Sequence, residues 1–497
     1  MTDKRQSGVL LHITSLHSSH GIGNLGQGAY NFIRFLVASK QKLWQILPLG
    51  PIGACNSPYT SFSAFAGNPL LIDIEQLTKA GLLTETDVGI SISEKAVIDS
   101  CVDFASVIPT KTSLLQKAYA RHLEHPISQI QLGIEKFIHK HQYWLEDYCL
   151  YMALKEHFHG EVWTKWPDGI KQRQPQIIKQ WKTKLRQTMD YHCFIQYLFF
   201  DQWSKLKSFA NNNGIKIIGD LPIFVAHDSA DVWAHRSLFK LDHAGKPKFV
   251  AGVPPDYFSK TGQMWGNPLY HWGRNKAEEF HWWMLRLKTL LGLVDIIRID
   301  HFRGFEAYWS IPFGEKTAVK GSWQKGPGAS FFQAIEAKMG RLPIIAEDLG
   351  FITEEVEELR DSFNLPGMRV LQFAFDGLHA NIHTPHNHVP NSVAYTGTHD
   401  NNTSLGWYNQ AAADVKHYAL KYLGTAGQRI AWDFIRAVLA SPANRAIIPL
   451  QDILSLGSEA RMNTPGTTEN NWQWMAPAHI SDQIVLDLAT LTELYER

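Results

Sequence analysis

The run 294–300, Val-Asp-Ile-Ile-Arg-Ile-Asp, has the apolar density of a strand buried on both faces, yet it ends on charges. Ile297 and Ile299 alternate with Arg298 and Asp300, and His301, Phe302, Arg303 and Gly304 follow at once. Side chains alternate along a strand, so Arg298 and Asp300 share one face and the two isoleucines the other. Three more apolar runs behave alike: Asp220 interrupts 216–225, Glu347 and Asp348 close 342–349, and His399 with Asp400 closes the run that starts at 392. Burying so many charges without a use is costly, and their convergence on one mouth points to catalysis. Carboxylates interleaved with Arg, His and aromatic side chains suit an oxocarbenium-like transition state. One attacks the anomeric carbon, a second protonates the leaving oxygen, and a third positions the sugar's hydroxyls. Metal-assisted hydrolysis is the competing use of acidic clusters, but it wants a denser set of histidine ligands.

Such residues need strands that all point the same way. Eight short apolar runs, at 8–14, 43–50, 216–225, 294–300, 342–349, 368–375, 392–399 and 446–454, alternate with helical patterns such as 29–39, 331–340 and 353–363. This order predicts an α/β fold, a (β/α)8 TIM barrel, whose chemistry sits at the C-terminal ends of its strands. The first part of the barrel is expected in 1–75. A mainly helical insertion after the second strand fills 76–215, where Ile134, Phe137, Ile138, Leu145, Tyr148, Cys149 and Met152 recur at helical steps. The rest of the barrel occupies 216–497. Within it, a loop at 251–270 rich in Gly and aromatics is expected to cover a ligand, with Tyr257, Phe258 and Trp265 excluding water. No run of strands closes the chain, so a C-terminal β-domain is not expected.

Composition narrows the partners. A net charge of +1 over 497 residues argues against nucleic acid or an anionic membrane surface. No stretch approaches the length of a membrane span. Cys55, Cys101, Cys149 and Cys193 are widely spaced with no CxxC pair, which disfavours a disulfide framework or thiolate metal site and fits a reducing cytoplasm. The chain is rich in aromatics, with 17 Trp, 16 Tyr and 26 Phe, many in irregular segments where they can stack on a ligand or cap the core. Two motifs mislead. Gly21–Gly26, "GIGNLG", matches a dinucleotide fingerprint, but no Asp or Glu lies between Asp3 and Asp73 to hold a ribose. His379, His383, His386 and His388 are spaced loosely like metal ligands, but Pro385 and Pro390 make the segment a loop and nothing fixes a carboxylate or thiolate partner nearby, so these histidines are expected to be solvated or locally bonded.

"RIDHFRG" (298–304), "AEDLG" (346–350) and "YTGTHDNNTSLGWY" (395–408) resemble the active-site motifs of the 4-α-glucanotransferases called amylomaltase or disproportionating enzyme, of the α-amylase clan. The resemblance runs from "GVLLHITSLHS" to "RMNTPGTTENNWQW" and weakens only over 76–200. It implies Asp300 as nucleophile, Glu347 as general acid/base and Asp400 as transition-state stabiliser, with Arg298 holding Asp300 ionised. It further implies that Asp220, His301 and His399 hydrogen-bond the sugar, that Tyr59 stacks on it, and that Gln263 and Trp265 cover the chain. The expected reaction is retaining transfer of an α-1,4-glucan segment from donor to acceptor glucan, without cofactor or metal. An amylase-type hydrolase using the same residues is the alternative, and a non-catalytic carbohydrate-binding barrel a more distant one. Asn402 and Met475 depart from the family pattern, where Asp and Arg are usual.

Overall fold

A computed structural model of the chain describes residues 5–89, 101–255 and 259–497. Its strands are β1 (Gln6–Leu10), β2 (Leu43–Gln45), β3 (Lys216–Pro222), β4 (Phe249–Val253), β5 (Gln263–Pro268), β6 (Ile296–Asp300), β7 (Ala307–Pro312), β8 (Ser322–Lys325), β9 (Ile344–Ala346), β10 (Gly367–Val370), β11 (Ser392–Tyr395) and β12 (Arg445–Pro449). Eight close into a barrel in the order β1-β2-β3-β6-β9-β10-β11-β12, every pair parallel. Each lies within or overlaps one of the eight runs expected from the sequence, and the fold is the (β/α)8 barrel.

Alternation decides what each strand offers. Leu10, Leu43, Ile218, Ile296, Ile345, Met368, Val393 and Ile447 form a closed apolar cluster inside the barrel. Ile297 and Ile299 belong instead to the outer core, with Trp283 and Leu287 of helix His281–Leu293. Arg298 and Asp300 therefore follow Ile296 up the interior face, and Asp220 follows Ile218. The register pairs Asp220 with Arg298 and Pro222 with Asp300, so the charges meet above the apolar plug.

Between β2 and β3 the described residues include the helices Phe104–Glu124, Ser128–His141, Leu145–His157 and the long Arg186–Asn212. The last buries Phe199, Trp203, Leu206 and Ala210 at steps of three and four, with Phe194 and Leu198 beside them. Two buried amides tie it to the chain that leaves β2. Gln196 exchanges hydrogen bonds with the Gly67 backbone (2.7 and 2.9 Å), and Gln202 with that of Asp73 (2.7 and 3.1 Å).

The segment 251–270, expected as a loop, contains most of β4 and all of β5. They pair antiparallel in a four-stranded sheet ordered β5-β4-β7-β8 outside the barrel. Tyr257 and Phe258 lie outside the described residues. The glycines of 21–26 serve packing: a Cβ on Gly23 would meet the Ile13 carbonyl at 1.9 Å, and one on Gly26 the Asp73 carboxyl at 2.6 Å. The histidine-rich stretch is locally bonded. His383 Nδ1 accepts from the Val370 amide (3.1 Å), and His386 pairs with the Tyr422 hydroxyl (3.0 Å). Among the described residues no cluster of His, Cys, Asp and Glu could hold a metal ion.

Candidate active site

Arg298 is the hub of the barrel mouth. Its side chain is 4% exposed, and Nη1 donates to both Asp220 oxygens at 2.7 Å and to Asp300 Oδ1 at 3.1 Å. Nε donates to Met368 Sδ (3.4 Å), the top of the apolar plug. Removing its carboxylate partners would strand a buried cation at a cost of about 3–5 kcal/mol.

The Asp220 carboxylate also accepts from the Tyr59 hydroxyl (2.8 Å), which lies 2.8 Å from His399 Nε2. A phenol has one proton, and with that proton on Asp220 the Tyr59 oxygen accepts from His399 Nε2–H. Burial pushes the His399 imidazole down, so it is neutral and its buried Nδ1 is an acceptor with no protein partner among the described residues. Tyr59 stacks on His399 (5.3 Å, 15°), and Trp472 leans on both rings.

His301 sits in the left-handed region (φ 53°, ψ 50°), immediately after β6. That conformation is unusual for a residue with a side chain and is found where the surrounding structure enforces it. It aims the His301 amide at Glu347 Oε2 (2.6 Å), while the Leu349 amide donates to Oε1 (2.9 Å). Burial lowers the His301 imidazole to about 3, leaving it neutral with Nε2 buried and unbonded among the described residues. Trp265 meets that ring edge-on (4.8 Å, 89°), and its indole N–H donates to Gln263 Oε1 (3.2 Å). Thus β5 brings Gln263 and Trp265 to the Glu347 side of the mouth.

Burial pushes the Glu347 carboxyl up, against Arg298 and the two amides. Burial, with Asp220, Glu347 and Asp400, also pushes Asp300 up, and Arg298 opposes this. Asp300 keeps 29% of its side-chain surface open, which blunts the effect of burial on it, whereas the guanidinium is in direct contact. The guanidinium in direct contact favours the anion at Asp300, whereas buried Glu347 meets backbone amides instead of a cation and is left the better host for a proton.

Asp400 lies on the loop after β11, held from both sides. Asn463 Nδ2 donates to its Oδ1 and Arg461 Nη2 to its carbonyl, each at 2.6 Å. The loop's ends converge on buried Asp452, which accepts from Thr396 Oγ1 (2.5 Å), Ser404 N (2.6 Å) and Ser404 Oγ (2.7 Å). All ten residues singled out from the sequence are thus linked around one mouth. Asp452, Arg461, Asn463 and Trp472 were not singled out. "RMNTPGTTENNWQW" offered the only signal for the last three, as polar and aromatic residues in one irregular stretch. Asp348, one residue from Glu347, has another role: it binds Arg360 (2.5 Å) and the Met368 amide (2.6 Å), bracing β10. Asn402 bonds Ser458 and Gln410 (2.9 and 3.1 Å), and Met475 packs with Ile22, Leu70, Val102, Phe104 and Val107.

Carboxyls that differ in their donors, gathered above the plug of a parallel barrel and edged by indoles, define an enzyme of the glycosidic bond. Known proteins narrow that class: a 4-alpha-glucanotransferase family model matches residues 11–480, and the chain belongs to that family. It is 48% identical to the 4-alpha-glucanotransferase of Synechocystis sp. (100% of this chain, 99% of the relative) and 46% identical to that of Thermus thermophilus (99% of each). It also superposes on the amylomaltase of Streptococcus agalactiae in complex with acarbose, with a TM-score of 0.96, 40% identity and coverage of 99% of this chain and all of that one.

Proposed function

We propose that this chain cuts an α-1,4 bond of a donor glucan and passes the severed segment to an acceptor glucan, with the configuration retained. Asp300 attacks the anomeric carbon while Glu347 protonates the departing glycosidic oxygen, leaving a glycosyl ester on Asp300. The first fragment leaves, and an acceptor hydroxyl gives its proton back to Glu347 and displaces Asp300. Asp400 binds the sugar hydroxyls as positive charge develops at the anomeric carbon, and Asn463 fixes its carboxylate. Asp220, His301 and His399 hold the sugar at the point of cleavage, where the unpartnered imidazole nitrogens suit its hydroxyls, and Tyr59 offers it a face. The observation that carries this reading is the unequal treatment of the two carboxyls: a guanidinium on Asp300, backbone amides on buried Glu347.

In this reading 76–215 is an insertion into a barrel made by 1–75 and 216–497, and 251–270 covers the bound chain. The four free, dispersed cysteines support a cytoplasmic setting. Among the described residues no helix is long and apolar enough to cross a membrane.

Transfer requires that a sugar, not water, intercept the glycosyl ester. Trp265 is 38% exposed yet rests its edge on His301, so it can cover the chain without being part of the core. On maltotriose the parent protein should release far more transfer product than hydrolysis product, and Trp265→Ala should raise the hydrolytic share several-fold. A parent that only hydrolyses would contradict the proposed function. An unchanged ratio in the variant would remove Trp265 from the exclusion of water.

A further inference from the structure

Beyond the mouth, the segment leaving Glu347 carries a large side chain that the mechanism does not use. Phe351 is 66% exposed, and a single exposed apolar residue ordinarily needs no explanation. Its setting is unusual in being built. Gly350 takes φ 87°, a left-handed turn that a residue with a side chain resists, and this turns the chain outward just before Phe351. The Phe351 carbonyl accepts from Arg303, itself 5% exposed. The same guanidinium lies 5.6 Å from the Phe351 ring centroid and 3.8 Å from that of Trp323 on β8. Trp323 is half-buried and packs against Trp309 across the β7–β8 pair (5.2 Å).

The platform is continuous with the site. Arg303 follows Asp300 by three residues, and Phe351 follows Glu347 by four, a reach of at most about 14 Å. The two loops are joined between these points, the Phe302 amide donating to the Glu347 carbonyl (3.1 Å) and the Glu347 amide to that of Ile299 (3.0 Å). This puts a preorganised aromatic face within about 14 Å of Glu347, the group that in the proposed mechanism protonates the departing fragment and takes the acceptor's proton. The rim around Trp323 is polar, with exposed Ser322, Gln324 and Lys325.

We infer that Phe351, backed by Arg303 and flanked by Trp323, is an outer stacking subsite for the glucan on the leaving-group side of the cleft. It rests on the assignment of Glu347 as the acid. A short chain ends before reaching it and a longer one lies across it, so the subsite sets a preference for chain length.

The test compares kcat/KM on maltoheptaose and maltotriose for the parent, Phe351→Ala and Phe351→Tyr. Phe351→Ala should lower the long-to-short ratio by about three- to ten-fold, the weight of one aromatic contact, chiefly through KM. Phe351→Tyr keeps a ring and should keep the parent ratio. A parent ratio retained by the alanine variant, or an equal loss on both substrates, would overturn the subsite. Counting reducing ends with the parent protein tests transfer separately, so failure of the subsite and failure of the proposed function are distinguishable.

Discussion

Asp300→Ala should abolish turnover, by on the order of 10⁴-fold or more, the scale set by deleting a covalent nucleophile. The protein should still fold. Arg298 loses one partner but keeps Asp220, which binds Nη1 through both oxygens, so no buried cation is stranded. The deletion also relieves repulsion, because Asp220, Glu347 and Asp400 all press on the Asp300 charge. Thermal melting should therefore stay close to that of the parent while activity vanishes. Comparable activity in the folded variant would show that another group forms the covalent bond.

Glu347→Gln should lose about 10²- to 10⁴-fold on maltotriose, the usual worth of a positioned general acid. The loss should depend on the leaving group. A glycosyl fluoride needs no proton to depart, so with α-maltosyl fluoride this variant should release about one equivalent of fluoride per site in a burst. Slow turnover then follows, because glutamine cannot take the acceptor's proton. Asp300→Ala should show no burst. The pH profile gives a second reading. Glu347 must be protonated to act as acid, and burial raises its pKa, so activity persists above the ordinary carboxylate range and falls as pH rises through the raised value. In Glu347→Gln that alkaline limb should disappear. Equal losses on both donors, with the limb intact, would assign the acid elsewhere.

The barrel was legible because strands buried on both faces must be short and apolar, and their charged ends broke that pattern at Asp220, Asp300, Glu347 and Asp400. Strand lengths were overestimated for the same reason. Ile46, Leu47 and Leu49 are buried like strand residues although β2 ends at Gln45. The outer sheet was illegible: "QMWGNP" reads as a turn, and only pairing with β4 makes it β5. Glu347 and Asp348 were alike in sequence. What separates them is tertiary: Arg360 and the Met368 amide claim Asp348, and Glu347 is left facing His301. Asn463 in a loop and Asp452 on the short helix Leu450–Ile453 carry no signal until the chain folds them against Asp400 and the ends of its loop.

Transfer rather than hydrolysis is the central claim, and a count of reducing ends on maltotriose alone tests it most directly. Each transfer breaks one glycosidic bond and makes another, so the number of reducing ends stays constant. Each hydrolysis adds one. Water is far more abundant than sugar, but an acceptor held in place gains an effective molarity on the order of 10⁵ M, ample to intercept the ester on Asp300. The account predicts glucose together with a ladder of maltooligosaccharides longer than maltotriose, at a constant reducing-end count. Reducing ends rising in step with glucose, with no product longer than maltotriose, would contradict it.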